Sequence, residues 1–126
     1  MIDKLDAHLL FNSEALRLRS TRQQMLASNV VNAETPRYQA KDFDFARALR
    51  EATAPARAVS AAALRAPAAS AAPAAYERVA YQVNGEGNTV DMDAERAYFA
   101  DNALRYEAAL RALNAQMKTL LSAIQG

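Results

Sequence analysis

The chain has no cysteine, no tryptophan and a single histidine. Without a thiol there is no disulfide, no thiolate nucleophile and no cysteine-ligated metal. His8 has no marked partner: no Gly-rich elbow precedes any serine. Next to Leu9 it is expected on a solvated helix flank. The three glycines form no phosphate-binding loop. No apolar run is long enough to span a bilayer. The opening MIDKLDAHLL lacks the basic and long apolar regions of a cleavable signal peptide. Fifteen basic and fourteen acidic residues leave a net charge of +1. No strong field draws such a chain to nucleic acid or lipid. Arg17, Arg19 and Arg22 therefore read as a solvated or interfacial helix face. Two carboxylate groupings remain as candidates for a hard cation or acid–base work. Asp42 and Asp44 alternate with Phe43 and Phe45 and are expected on the wet side of a strand. Asp91, Asp93 and Glu95 stand where a helix begins. The expectation is a non-enzyme with no metal, cofactor or small-molecule substrate.

What is present is helical periodicity at both ends. Phe99, Ala103, Tyr106, Leu110, Leu113, Met117, Leu120 and Ile124 are apolar and spaced alternately by four and three. That spacing keeps one stripe facing a partner helix along its length. Ala109 lies off the stripe. At the other end, Ile2, Leu5, Leu9, Asn12, Leu16, Arg19, Gln23, Leu26, Val30 and Ala33 follow the same rhythm, with a polar interruption. Asp3 is a candidate cap for the first helix, and Asp91, Asp93 and Glu95 suit the start of the last. Helices over Asp3–Ala33 and Asp93–Ile124 would each be about 45–48 Å long at about 1.5 Å per residue. Matched lengths suit an antiparallel hairpin. A lone two-helix hairpin is a poor globule, so neighbours are expected to cover its seams.

The middle differs in kind. Glu51 to Ala75 contains fourteen alanines with Pro55, Pro67 and Pro73. The prolines interrupt helix, and only Val59 and Leu64 are large and apolar, so the segment reads as a flexible tether. Tyr76 to Val83 alternates, predicting a strand with Val79, Tyr81 and Val83 on one face. Asn84 to Asn88 is a turn, with two glycines. Tyr38 to Phe45 is partly extended. The predicted fold class is mainly α: a coiled-coil hairpin of long terminal helices, a small β-element and an Ala/Pro-rich middle. The segments are 1–35, N-terminal helix; 36–50, extended and short helical; 51–75, tether; 76–90, β-element; and 91–126, C-terminal helix.

Between the first helix and the extended segment runs Ala27-Ser28-Asn29-Val30-Val31-Asn32-Ala33-Glu34-Thr35-Pro36-Arg37-Tyr38. Pro36 pushes Thr35 out of the α region, and Asn32 is suited to a left-handed C-cap. The stretch resembles the signature of the bacterial flagellar rod, hook and hook-associated axial proteins, Ala-x-Asn-hydrophobic-Ala-Asn-x-x-Thr-Pro-Gly-aromatic. Ala27, Asn29, Val30, Asn32, Thr35, Pro36 and Tyr38 match it. Val31 replaces the usual alanine and Arg37 the usual glycine. Tyr38 to Phe45, Asn88 to Asp93, Ala100 to Asn102, Arg105 to Ala108 and Lys118 to Ile124 are similar to the proximal rod members of that family.

The resemblance implies a structural rod subunit in the periplasm, carrying torque and forming part of the export channel wall. It implies export, uncleaved, through the flagellar type III system. It implies terminal helices that are disordered when free and pack as concentric coiled coils when assembled. The implied assembly seam is Leu5, Leu9, Leu16, Leu26, Val30, Phe99, Tyr106, Leu110, Leu113, Met117, Leu120 and Ile124. The implied partners are further copies, other rod proteins, the rod–ring junction protein, the rod cap protein and the type III export gate. Phe45-Ala46-Arg47-Ala48-Leu49 fits the family's Phe-x-x-x-hydrophobic gate-docking element, with Phe45 and Leu49 on one face of a helical turn. Ile2 and Leu5 fit its apolar N-terminal element. A reading of another class, a cytoplasmic helical adaptor docking its seam into a partner's groove, would give a defined complex and no tube.

Overall fold

The computed structural model describes residues 2–54, 72–79 and 83–126. Helix α1 spans Ile2–Val31, strand β1 Lys41–Phe43, helix α2 Phe45–Thr53, strand β2 Ala75–Glu77 and helix α3 Met92–Gln125. The two long helices carry the 3-4 apolar rhythm and lie against each other. Their direction follows from three side-chain contacts: Asn12 with Gln116, Gln23 with Asn102, and Asn29 with Glu95. Numbers rise on α1 as they fall on α3, so the hairpin is antiparallel. Most of the tether expectation falls on residues 55–71, outside the described residues. Glu51 to Thr53, at its start, form the last turn of α2.

Local chemistry sets the helix ends. The Asp91 carboxylate accepts from the N–H groups of Asp93 and Ala94 at 3.0 and 3.2 Å, capping α3. Asp44 does the same for α2 through the Arg47 N–H. Asp3 lies inside the first turn of α1, which already begins at Ile2. The exit of α1 differs from expectation. Asn32 takes no left-handed conformation; its amide instead donates to the Ser28 carbonyl at 2.8 Å. The residue at positive φ is Arg37, at 61°. The Tyr38 N–H closes the turn onto the Thr35 carbonyl. Proline followed by a residue at positive φ is the pattern of a type II turn, so Arg37 keeps the conformation that glycine adopts without strain.

Strand β2 runs antiparallel to β1, pairing Lys41 with Glu77, Asp42 with Tyr76 and Phe43 with Ala75. The expected strand from Tyr76 to Val83 is not what forms. β2 stops at Glu77, Val79 is 95% exposed, Val83 is exposed, and Tyr81 lies outside the described residues. The physical reason is that Arg78, not Val79, turns inward. The fully buried apolar side chains are few: Leu18, Leu26, Ala40 and Phe43 among the described residues. Leu18 shares a hollow with Ala48 and Ala52 of α2. Beside these four, Asn29, Asp42, Asn88, Glu95 and Asn102 are also buried. The interior at this end of the hairpin is largely polar.

Candidate assembly surfaces

The α1–α3 seam is built on polar rungs. The Asn102 amide donates to the Arg19 carbonyl at 2.9 Å and to Gln23 Oε1 at 2.7 Å. Seven and fourteen residues further on stand Ala109 and Gln116, and the Gln116 Oε1 accepts from Asn12 at 2.7 Å. Glu95, Asn102 and Gln116 thus bond to α1, and Ala109, half-buried, shares their phase. Asn102 Oδ1 has no partner among the described residues, although it is buried.

This places the expected stripe in two parts. Tyr106, Leu113 and Leu120 are half-buried along the seam. Leu110, Met117 and Ile124 are exposed, Ile124 to 85%; Phe99 is exposed beside the end of α1, and Ala103 is half-buried beside Ser20 and Gln23 of α1. Leu104 and Leu121 extend the exposed surface. Ala109, off the stripe by apolar spacing, shares the seven-residue phase of the seam. On α1, Leu26 is buried, Leu9, Leu16 and Val30 are half-buried and Leu5 is exposed. Ala27, Val30, Val31, Phe99 and Arg96 line a shallow apolar hollow of about 310 Å³ where α1 ends and α3 begins.

The Asn/Thr-Pro motif forms a latch. Asn29 is fully buried and receives the Lys41 N–H on Oδ1 at 3.0 Å while donating to the Lys41 carbonyl at 2.8 Å. One amide thereby holds both backbone groups of a residue in β1. The Tyr38 hydroxyl donates to the same Oδ1 at 3.0 Å. Thr35 donates to the Asn32 side chain at 3.1 Å. Pro36 sets the turn that follows. Asn88, across the chain, donates to the carbonyls of both Asn32 and Thr35 at 2.9 and 2.7 Å. Thr89 receives the Ala40 N–H on its hydroxyl. The motif ties the exit of α1 to the approach to α3.

Beside the latch lies an ionic cluster. Arg22 meets Asp42 through two parallel bonds of 3.0 Å. Arg78 donates to Asp42 at 2.8 Å and to the Glu95 carboxylate, and stacks on the Tyr98 ring at 4.4 Å. Asp42 is therefore not on the wet side of a strand. It is 4% exposed, and two guanidinium groups make that burial tolerable. Burial pushes the Asp42 carboxyl up. Hydrogen bonds from Arg22, Arg78 and the Phe43 N–H outweigh this and hold its pKa below the ordinary value. Burial lowers the Arg78 pKa, but its bond to Asp42 and the Glu95 charge raise it overall.

Phe45 and Leu49 share one face of α2 and are half-buried. Arg19 lies 3.6 Å over the Phe45 ring. His8 is exposed on its flank. Apolar spacing had no means of finding Arg78, Glu95 or Asn102, because none is apolar. Asn88 and Asn102 did lie within the stretches that carry the resemblance.

No family model matches the chain. Curated relatives do. The chain is 44% identical over 135 residues to the flagellar basal body rod protein FlgB of Escherichia coli K12, covering 99% of this chain and 98% of that one. It is 43% identical over 136 residues to FlgB of Salmonella typhimurium, with 100% and 99% covered. It is 38% identical over 126 residues to FlgB of Cereibacter sphaeroides, with 98% and 95% covered. The chain belongs to the FlgB family. A FlgB-family chain is a flagellar basal body rod protein. Among the described residues no helix is long and apolar enough to cross a membrane.

Proposed function

We propose that this FlgB-family chain is a non-catalytic subunit of the proximal rod, exported by the flagellar type III system, that carries torque and contributes to the export channel wall. The observation that carries the reading is the exposed apolar repeat of α3, at Leu110, Met117 and Ile124, on a chain related end to end to rod proteins. A seven-residue apolar repeat left uncovered suits packing against neighbouring helices. The neighbours are further copies, other rod proteins, the rod–ring junction protein and the rod cap protein. The same surface is the weak point to test. Leu110→Asp places a charge on an exposed position, so the isolated subunit should keep its helicity by circular dichroism. In a swimming assay the variant should be non-motile, because a helix interface cannot hold an unpaired carboxylate. Full motility would refute the assembly role of the stripe, and a defined one-to-one complex with a cytoplasmic partner would favour an adaptor.

In this reading Phe45 and Leu49 dock on the export gate before folding, and Ile2 and Leu5 assist at the N-terminus. Their side chains on one face of α2 suit one apolar cleft. The double change Phe45→Ala and Leu49→Ala should lower secretion of unassembled subunit with cytoplasmic levels unchanged. Normal secretion, with failure only at assembly, would return both residues to a packing role.

A further inference from the structure

The segment returning from the middle of the chain is held to the hairpin in an unusual way. From Ala74 to Val79 every residue is exposed except Arg78. No apolar side chain of this stretch is buried. Its backbone contributes a three-residue ladder with β1 and one further bond, from the Arg78 N–H to the Ala40 carbonyl at 2.7 Å. So short a two-stranded ladder is marginal by itself. The Arg78 side chain, by contrast, reaches three places at once: Asp42 before β1's end, Glu95 in the first turns of α3, and the Tyr98 ring one turn further along α3.

We propose that Asp42 and Glu95 form a seat for a pinned strap, and that Arg78 is the positioning residue that fixes Ala74–Val79 across the root of the hairpin. The seat is preformed by other bonds. Asp42 is held by Arg22, and Glu95 by the Asn29 amide at 3.3 Å. Two carboxylates of this depth, 4% and 1% exposed, require a cation between them. A guanidinium suits the place because its separate nitrogens reach both carboxylates while its plane covers the ring. An ammonium, a point charge, does not satisfy both. Pinned, the strap covers the two acids and sets where the central segment rejoins the helices. Released, it leaves an acidic, aromatic-edged notch open on the hairpin surface. This holds independently of what the hairpin assembles into.

Hydrogen exchange on the full chain tests it. Arg78→Gln alone would strand the Glu95 charge, so the informative variant is Arg78→Gln with Glu95→Gln. Amides of β2 and position 78 should exchange about tenfold faster or more, a local opening, while those around Leu26 and Asn102 keep their protection. Arg78→Lys, in the otherwise unchanged chain, should fall between the parent and the double variant. Unchanged protection of β2 in the double variant would overturn the proposal. So would equal loss across strap and hairpin, which would make Arg78 an ordinary core residue, or full protection in Arg78→Lys, which would remove the need for two-carboxylate pinning.

Discussion

The two ends of the hairpin are built to different standards. At the end where α1 exits and α3 begins, Leu18, Leu26, Asn29, Asn88, Glu95 and Asn102 are each at most 1% exposed. Nearly every buried polar atom there has a partner. At the opposite end, no described side chain from Asp3 to Arg17, or from Ala103 to Gln125, is buried. Leu5, Leu10, Phe11, Met117, Leu121 and Ile124 are exposed instead. One polar rung, Asn12 with Gln116, spans that half. The first end is finished within one chain. The second has helix length and apolar surface without a cover. Local stability follows buried contacts, so the two ends should open at different free energies.

The comparison breaks most sharply at Asn29. Asn29→Ala removes both bonds to the Lys41 backbone and the support of Glu95, leaving buried groups unsatisfied. Urea denaturation should show a loss of about 2–4 kcal/mol, in keeping with about 1–3 kcal/mol for each buried group left unpaired. A substitution at the open end, Leu121→Ser, should change monomer stability by no more than about 0.5 kcal/mol, as surface changes usually do. Equal effects would erase the distinction between the ends.

Acid sharpens it. The Asp42 carboxyl is ionised more readily in the folded chain than in the unfolded one. Its contribution is therefore present above the ordinary aspartate pKa of about 3.9 and is lost as pH falls through its lower folded value. Titration should leave the chain unchanged from pH 7 to about 5 and weaken the finished end below about 4, which hydrogen exchange of the β2 amides measured at each pH, corrected for the intrinsic rate, would report. The smallest effect is expected at Arg37. Arg37→Gly relieves a left-handed residue but loosens the unfolded chain, so stability should rise by no more than about 1 kcal/mol.

The long helices were legible because their apolar residues repeat every three or four positions, and Asp91 was legible as a cap because it precedes such a run. The Asn/Thr-Pro stretch pointed to the family before any contact was known. The ionic cluster was not legible. Asp42 alternates with two phenylalanines, and of the two arginines that neutralise it one stands 20 positions earlier on α1 and the other 36 positions later, past a segment without pattern. Alternation groups Val79 with Val83 on one face, but it has two phases and the sequence alone does not say which faces the helices. The seam of α3 was displaced for a related reason. Apolarity marks Leu110 and Met117, but the amide-bearing Asn102 and Gln116 bond to α1. An amide matched to an amide is invisible to a hydrophobic count.

That displacement by one position gives α3 two readouts within a single turn. A substitution scan along it should beat with a period of seven in two phases. Changes at 102, 109 and 116 would register as altered folding of the isolated chain. Changes one place later, at 110 and 117, would pass every test of the purified subunit and fail only in the cell. A variant library sorted on solubility alone would keep the second class and discard the first, and the difference between the two selections would trace the outer wall of the helix residue by residue.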